Sequence, residues 1–246
     1  MKTKRLISLL LAIVMLAFAL TACSSSPQAI IEKADKALAN TPYKLDISVE
    51  FDGDENYLEM ISAADIKSTI YMDGTNFESK LDIMGITATL THADGVAYLG
   101  MSFLGFPIKT KAEVNSSEID ELLKYASVSD LGALDFDSLA IEKKGDAGLI
   151  VKCTNIKADK LTEFSKEFGA DNFTIDNVNL DATIVDGRYE NITISMVYKY
   201  SESGRTVDID AKMTMDFDYE NAKEITAPAD KDQYSIVDFD NLFNLG

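Results

Sequence analysis

Apolar and polar residues alternate over several long stretches of the chain. From Tyr43 to Phe51 every second residue is apolar, and the residues between them are Lys, Asp, Ser and Glu. A period of two predicts β-strands that bury one face and expose the other. The same alternation predicts five further strands, at Ile66–Met72, Phe77–Ile83, Ile86–Leu90, Ile192–Tyr200 and Val207–Tyr219. The last one exceeds the usual length of about five or six residues, which predicts a large, strongly curved sheet.

Short turns are marked between these strands. Asp73-Gly74, Asp94-Gly95 and Asp186-Gly187 are dipeptides typical of two-residue β-hairpins. Consecutive strands are therefore expected to pair in an antiparallel sense.

Three helices are predicted beside the strands. Ser26-Pro27 has the form of an N-cap followed by proline in the first helical turn, and apolar residues recur at helical spacing from Ile30 to Leu38. The other two helices are predicted at Ser117–Tyr125 and Ala158–Phe168. Because helices do not alternate with every strand, the expected fold class is α+β with a large curved antiparallel sheet.

The stretch Ala97–Ile108 breaks the alternation and is unusually apolar, with glycines at positions 100 and 105. Two interpretations fit it. It is either a buried hairpin, in which glycine marks a bulge or a close backbone approach, or a mobile flap over a pocket. The hairpin is the favoured interpretation.

The first residues have the order of a secretory signal. Lys2, Lys4 and Arg5 precede an apolar run from Leu6 to Leu20, which is shorter than the roughly 20 residues of a membrane span. Leu20-Thr21-Ala22-Cys23 then resembles the lipobox of bacterial lipoproteins. The resemblance implies cleavage before Cys23 and acylation of that cysteine. The protein would then be extracytoplasmic, anchored to the outer face of the cell membrane or, in a host with two membranes, to the outer membrane.

Composition and charge narrow the picture further. Residues 1–22 are expected to be the signal peptide, 23–26 the lipidated cysteine with a short tether, and 27–246 one domain, since no linker rich in glycine, proline or serine divides them. Besides the acylated cysteine only Cys153 remains, so no intramolecular disulfide is expected.

The formal charge of −18 argues against nucleic acid as a partner and against docking on anionic lipid head groups.

The sequence predicts no catalytic residue, no metal site and no cofactor. It contains no GxSxG, HExxH, P-loop or GxGxxG motif. His92, the one histidine, is expected to be a surface turn residue, and Cys153 a buried structural thiol. The acidic runs Asp52–Asn56 and Asp135–Asp137 carry oxygen ligands for calcium but lack the EF-hand spacing, so solvated turns are the favoured interpretation.

The order of these elements resembles a family of bacterial lipoproteins. The helix at Ile30–Leu38, the strand at Tyr43–Phe51, the hairpin at Asp186-Gly187 and the closing segment Ile225–Pro228 are similar to those of the lipoprotein carriers LolA and LolB and of the mycobacterial lipoproteins LppX and LprG. The resemblance implies a half-open β-barrel whose concave side carries the helices. In some relatives this concave side shelters acyl chains.

Binding of a lipid or another apolar ligand in such a concavity is the favoured function. Met196, Met213 and Met215 fall on inward-facing strand positions, and Met101 and Phe103 lie in the apolar stretch. These five residues are the expected lining, since flexible thioethers suit an adaptable surface for acyl chains. Two alternatives stay open: helices and loops fill the concavity, or the protein is a ligand-free interaction or scaffold lipoprotein of the cell envelope. The expected partners are the membrane, through the lipid anchor, and a lipid or other apolar ligand; the sequence identifies no protein partner.

Overall fold

A computed structural model describes the chain at residues 26–53, 66–83, 86–103, 106–126, 136–144, 148–156, 173–202 and 205–242. Cys23 and the helix predicted at Ala158–Phe168 lie outside these residues. The described helices are α1 (Pro27–Ala39) and α2 (Ser116–Ala126). The described strands are β1 (Tyr43–Gly53), β2 (Ile66–Asp73), β3 (Asn76–Ile83), β4 (Ile86–Ala93), β5 (Val96–Phe103), β6 (Phe106–Glu113), β7 (Phe136–Lys144), β8 (Gly148–Ile156), β9 (Phe173–Val185), β10 (Arg188–Glu202), β11 (Arg205–Asp218) and β12 (Ser235–Ile236).

The strands form one large sheet in the order β12-β6-β5-β4-β3-β2-β1-β11-β10-β9-β8-β7. Described neighbours are antiparallel except β12, which runs parallel to β6. The strand β1 lies between β2 and β11 and pairs with both. It therefore connects two meanders, one formed by β2 to β6 and the other by β7 to β11. Among the described strands β7 and β12 are the edges, so the sheet is open. The predicted large antiparallel sheet is confirmed.

The alternating pattern separates the sheet into an apolar face and a polar face. Directly paired residues of neighbouring strands point to the same side of a sheet. Leu45 pairs with Ile70 of β2 and with Phe217 of β11, and all three are buried. Asp46 points to the opposite side, where its carboxylate accepts a hydrogen bond from Thr69 at 2.8 Å. The hydrophobic core therefore lies on the apolar face.

The hairpin turns follow the predicted dipeptides in two of three places. Both residues have positive φ in Asp94-Gly95 (55° and 76°) and in Asp186-Gly187 (51° and 75°), as a type I′ turn requires. After β2, however, Asp73 still pairs with Asn76, and Gly74 and Thr75 form the turn. Gly74 has a φ of 62°, which is the type II′ requirement at the first central position. This turn is therefore one residue later than predicted, because glycine adopts the left-handed conformation without steric cost.

The ends of α1 are satisfied by side chains. The Ser26 hydroxyl accepts a hydrogen bond from the Ala29 N–H at 3.2 Å, and Pro27 is the first helical residue. At the other end the Asn40 side-chain amide donates to the Lys36 carbonyl at 2.6 Å. The N-cap predicted at Ser26 is confirmed, and the helix extends from Pro27 to Ala39, one residue beyond the apolar spacing that ends at Leu38.

The helix α1 packs on the apolar face. Its side chains Ile31, Ala34 and Leu38 are buried. The buried Tyr189, on the apolar face of β10, donates its hydroxyl hydrogen to the Asp35 carboxylate at 2.7 Å. Burial and this hydrogen bond raise the pKa of Tyr189, so the hydroxyl keeps the proton that it donates. A polar contact thus fixes the position of α1 along the sheet.

The stretch Ala97–Ile108 forms the β5–β6 hairpin, which is part of the sheet between β4 and β12. Ala97 and Leu99 are buried, whereas Phe106 near the tip is 74% exposed. The hairpin interpretation is correct, although its burial is confined to the base.

The chain after β11 crosses the polar face of the sheet. We call residues 219–242 the C-terminal strap. Lys223 forms an ion pair with Glu78 of β3 at 2.7 Å, and Asp230 forms one with Lys109 of β6. The strap then adds β12 to the edge of β6. No periodicity in the sequence predicts this path, because its contacts are made one residue at a time.

The strap ends in the hydrophobic core. Leu242 is 0% exposed and belongs to the core cluster of the apolar face. Its carbonyl accepts a hydrogen bond from the Thr110 hydroxyl at 3.4 Å. Since Thr110 lies on the apolar face of β6 and the strap approaches over the polar face, the chain passes around the β6 edge between Ile236 and Leu242.

Candidate functional site

On the apolar face of strands β1 to β6, side chains are buried at one end of the strands and half-buried at the opposite end. The inner row, at the end of the β2–β3 and β4–β5 turns, consists of directly paired residues that are all buried: Tyr43, Met72, Phe77, His92, Ala97 and Ala112. The outer row, four residues further along β1, consists of paired residues that are all half-buried: Ile47, Ser68, Leu81, Ala88, Met101 and Ile108. The apolar face is thus covered at one end and partly open to solvent at the other.

The half-buried region extends from the outer row onto the neighbouring strands. Val49, next on the same face of β1, pairs with Ile66 on one side and with Met213 on the other, and all three are half-buried. Met213 in turn pairs with the half-buried Ile194 of β10. Aliphatic and thioether side chains predominate here, so the outer row with Val49, Ile66, Met213 and Ile194 is the candidate site.

The structure places the methionines predicted to line a cavity at different depths. Met101 and Met213 are half-buried within the candidate site. Met215 and Met196 also lie on the apolar face, but they are only 2% and 6% exposed. Met196 of β10 pairs with Ala211 of β11, which is two residues from Met213 and four from Met215. Met101, in contrast, lies on β5, five strands from β11. At about 4.8 Å per strand, that separation along the sheet is about 24 Å.

The remaining predicted lining residue, Phe103, is the last residue of β5. Its backbone pairs with Phe106 of β6. Its side chain lies outside the described part of the chain, so its role in the lining stays a prediction.

The prediction that His92 is a surface turn residue is wrong. His92 belongs to the inner row and is only 2% exposed. Its Nδ1 lies 2.7 Å from the Thr75 carbonyl oxygen, which identifies Nδ1–H as the donor, and its ring lies 6.0 Å from that of Phe77. The β4 strand continues to Ala93, three residues beyond the predicted end, and this carries the ring into the core. His92 is therefore a packing residue, not an accessible base.

Cys153 is a buried thiol, as predicted. It is 1% exposed on the apolar face of β8, and burial raises its pKa to about 12. Because only the thiolate is nucleophilic, this side chain is expected to be unreactive in the folded protein.

Thiol labelling tests this burial. In a Cys23→Ser variant, which leaves one thiol, Cys153 is expected to react with a thiol reagent at pH 8 at least about 100-fold more slowly in the native state than in denaturant. The rate of reagent release measured by absorbance gives the comparison. Equal rates in the two states would show that the β8–β9 region opens readily.

Within the described residues, no three His, Cys, Asp or Glu side chains gather into a constellation able to bind a metal ion. None of the helices in the same part of the chain has both the length and the apolar character of a membrane span. The sequence matches no protein-family model and no curated protein. The site is characterised by its geometry: a row of half-buried and, except for Ser68, apolar side chains across six adjacent strands.

Proposed function

We propose that this protein is a lipid-anchored extracytoplasmic lipoprotein that binds a lipid or another apolar ligand on the outer row of its sheet. The observation that carries the proposal is the difference in burial between the inner and outer rows. Ordinary packing would cover both ends of an apolar face, whereas an apolar surface left half-open is typical of a ligand or interaction site.

The shape of the row suits a long, thin ligand. It runs across β1 to β6, which at about 4.8 Å per strand is roughly 24 Å. Each methylene that leaves water for this surface contributes about 0.8 kcal/mol. The right-handed twist of so wide a sheet favours curvature, so we propose the half-barrel form in which the apolar face is concave.

The proposed anchor at Cys23 complements this ligand. The chain carries a formal charge of −18, which opposes attraction to anionic membrane surfaces. Acyl chains on Cys23 would hold the domain at the bilayer in spite of this repulsion, because two or more chains anchor a protein stably. The tether of residues 24–26 would keep the site close to the lipids that it binds.

Native mass spectrometry tests the ligand. The protein with Cys23 replaced by serine is expected to co-purify with an acyl-chain adduct that organic extraction releases. A Met101→Arg substitution places a charge in the outer row and is expected to reduce the adduct at least about tenfold. The matched control is Ser102→Arg, an exposed position on the polar face of the same strand, which should leave the adduct unchanged.

Two outcomes would contradict the proposal. One is a clean apo mass with no uptake of added phospholipid or fatty acid. The other is equal loss of the adduct in both variants. Circular dichroism of each variant shows whether the fold is retained.

The alternative is an interaction or scaffold lipoprotein that binds no lipid. It is favoured by two large apolar side chains on the β6–β12 edge, Phe106 and Ile236, which are 74% and 82% exposed. An apo protein in the experiment above would direct the search to that edge.

A further inference from the structure

A groove with a volume of about 810 Å³ lies on the polar face, at the edge of the sheet opposite β7. One wall is the β5–β6 ladder with Tyr98 and Lys111, one end is Asn115 at the start of α2, and the other wall is the strap from Ile236 to Asp240. The volume falls within the range of roughly 300–1,000 Å³ that is usual for ligand sites.

The groove is strongly acidic. Four carboxylates and one ammonium group line it, a net charge of −3: Glu113, Glu118, Asp238, Asp240 and Lys111. The one ammonium group, on Lys111, is directed to the strap, where it donates to the Lys231 carbonyl at 2.8 Å. Glu118 accepts a hydrogen bond from the Asn115 N–H at 2.7 Å as part of the cap of α2. Within the described part of the chain, the other three carboxylates form no ion pair.

The same groove presents apolar surface. Val96, Val114, Val237 and Phe239 are half-buried in its lining, and the aromatic ring of Tyr98 is held edge-to-face against Tyr234 at 5.5 Å. Ile236 stands at the rim with 82% of its surface exposed. An exposed isoleucine lies beside carboxylates that have no ion pair among the described residues, and together they form a surface with both apolar and acidic contacts.

We propose that this groove docks a basic, partly apolar peptide segment of a protein partner. Lysine and arginine combine an aliphatic stem with a charged head, so the stem can pack on Ile236 and Val237 while the head reaches the carboxylates of Asp238 and Asp240. An acidic segment or a nucleic acid would be repelled by the same charges. The site is on the polar face, so it operates whether or not the outer row binds a lipid.

Fluorescence anisotropy with the full chain, purified as its host processes it, tests the proposal. The probe is a fluorescein-labelled octapeptide of alternating lysine and leucine, and its glutamate–leucine counterpart is the reference peptide. The double substitution Asp238→Asn and Asp240→Asn removes two charges at exposed positions, and Asp238 makes no capping hydrogen bond. We expect the Kd for the basic peptide to rise about tenfold in this variant, and about threefold in Ile236→Ser.

The matched control removes two charges elsewhere. The substitutions are Asp186→Asn at the β9–β10 turn and Asp208→Asn on β11, both at exposed positions and at least six strands from β6. Their double variant should bind the basic peptide as the unsubstituted chain does, and 0.5 M NaCl should weaken that binding. Equal loss of affinity in both double variants would mean non-specific attraction to an acidic protein and would overturn the proposal. Absence of binding to the basic peptide, or equal binding of the acidic one, would overturn it as well.

Discussion

The Phe77→Ala variant is expected to lose about 3–5 kcal/mol of unfolding free energy. Phe77 is 0% exposed in the inner row, and its ring packs 6.0 Å from that of His92. Truncating a large buried side chain removes its transfer free energy and leaves a cavity. Urea denaturation followed by far-ultraviolet circular dichroism measures the loss. The chain has no tryptophan, so tyrosine fluorescence is the suitable second probe.

The matched control is Phe106→Ala. Phe106 is the same residue type in the same sheet but is 74% exposed, so its removal is expected to change the unfolding free energy by less than about 0.5 kcal/mol. Similar losses in the two variants would contradict the inner row as the densely packed end of the apolar face.

The second large effect is expected at the end of the strap. Leu242→Ala should cost about 2–5 kcal/mol, because Leu242 is 0% exposed and anchors the strap in the core. The loss should be accompanied by faster proteolysis near residues 228–236, since the strap would be released from the β6 edge. Denaturation curves and limited digestion followed by mass spectrometry measure both effects.

Ile236→Ala provides the comparison within the same segment. Ile236 is 82% exposed on β12, only six residues earlier, so its truncation should cost less than about 0.5 kcal/mol and leave the digestion pattern unchanged. If Ile236→Ala were the more damaging substitution, the strap would be held by β12 and not by Leu242.

The strap limits the pairing of the β6 edge of the sheet with strands of other chains. An uncovered edge strand exposes backbone groups that can pair with another chain. The strap occupies β6 at Thr110 and Lys111 through β12, and the Lys109 ammonium binds Asp230 and, at 3.0 Å, the Gln233 side chain. Gly100 permits this approach, since a Cβ there would lie only 3.1 Å from the Tyr234 hydroxyl oxygen. Gly100 thus lies at a close contact, as the sequence suggested, and a larger residue there would displace the Tyr234 hydroxyl by a few tenths of an ångström.

Strand positions could be predicted from the sequence because each of these strands has one solvent-exposed face and one buried face. The alternation from Tyr43 to Phe51 predicted β1 to within two residues of its end at Gly53. The Asp-Gly dipeptides at 94–95 and 186–187 were also informative, because few other pairs tolerate two positive φ angles. The end of β4 was missed because Thr91-His92 is not apolar, although both residues are buried.

The site residues were predicted less well. The periodicity placed Met196, Met213 and Met215 on the apolar face, and their register confirms this. It could not separate the buried Met215 from the half-buried Met213, two residues away, because both have the same place in a period of two. The groove lined by Asp238 and Asp240 was not predicted at all, since its walls come from segments more than 100 residues apart in the sequence.

The sequence by itself determined which side of the alternating strands faces the core and where α1 and most hairpins begin and end. These properties depend on contacts between residues close together in the chain, so local patterns of polarity, capping and turn chemistry encode them. Only the tertiary structure decided that β1 pairs with β11, that His92 is buried, that the strap reaches the core at Leu242 and that burial falls from the inner row to the outer row. Those properties depend on which distant segments cover each surface, and the pattern of one strand carries no information about what packs on it.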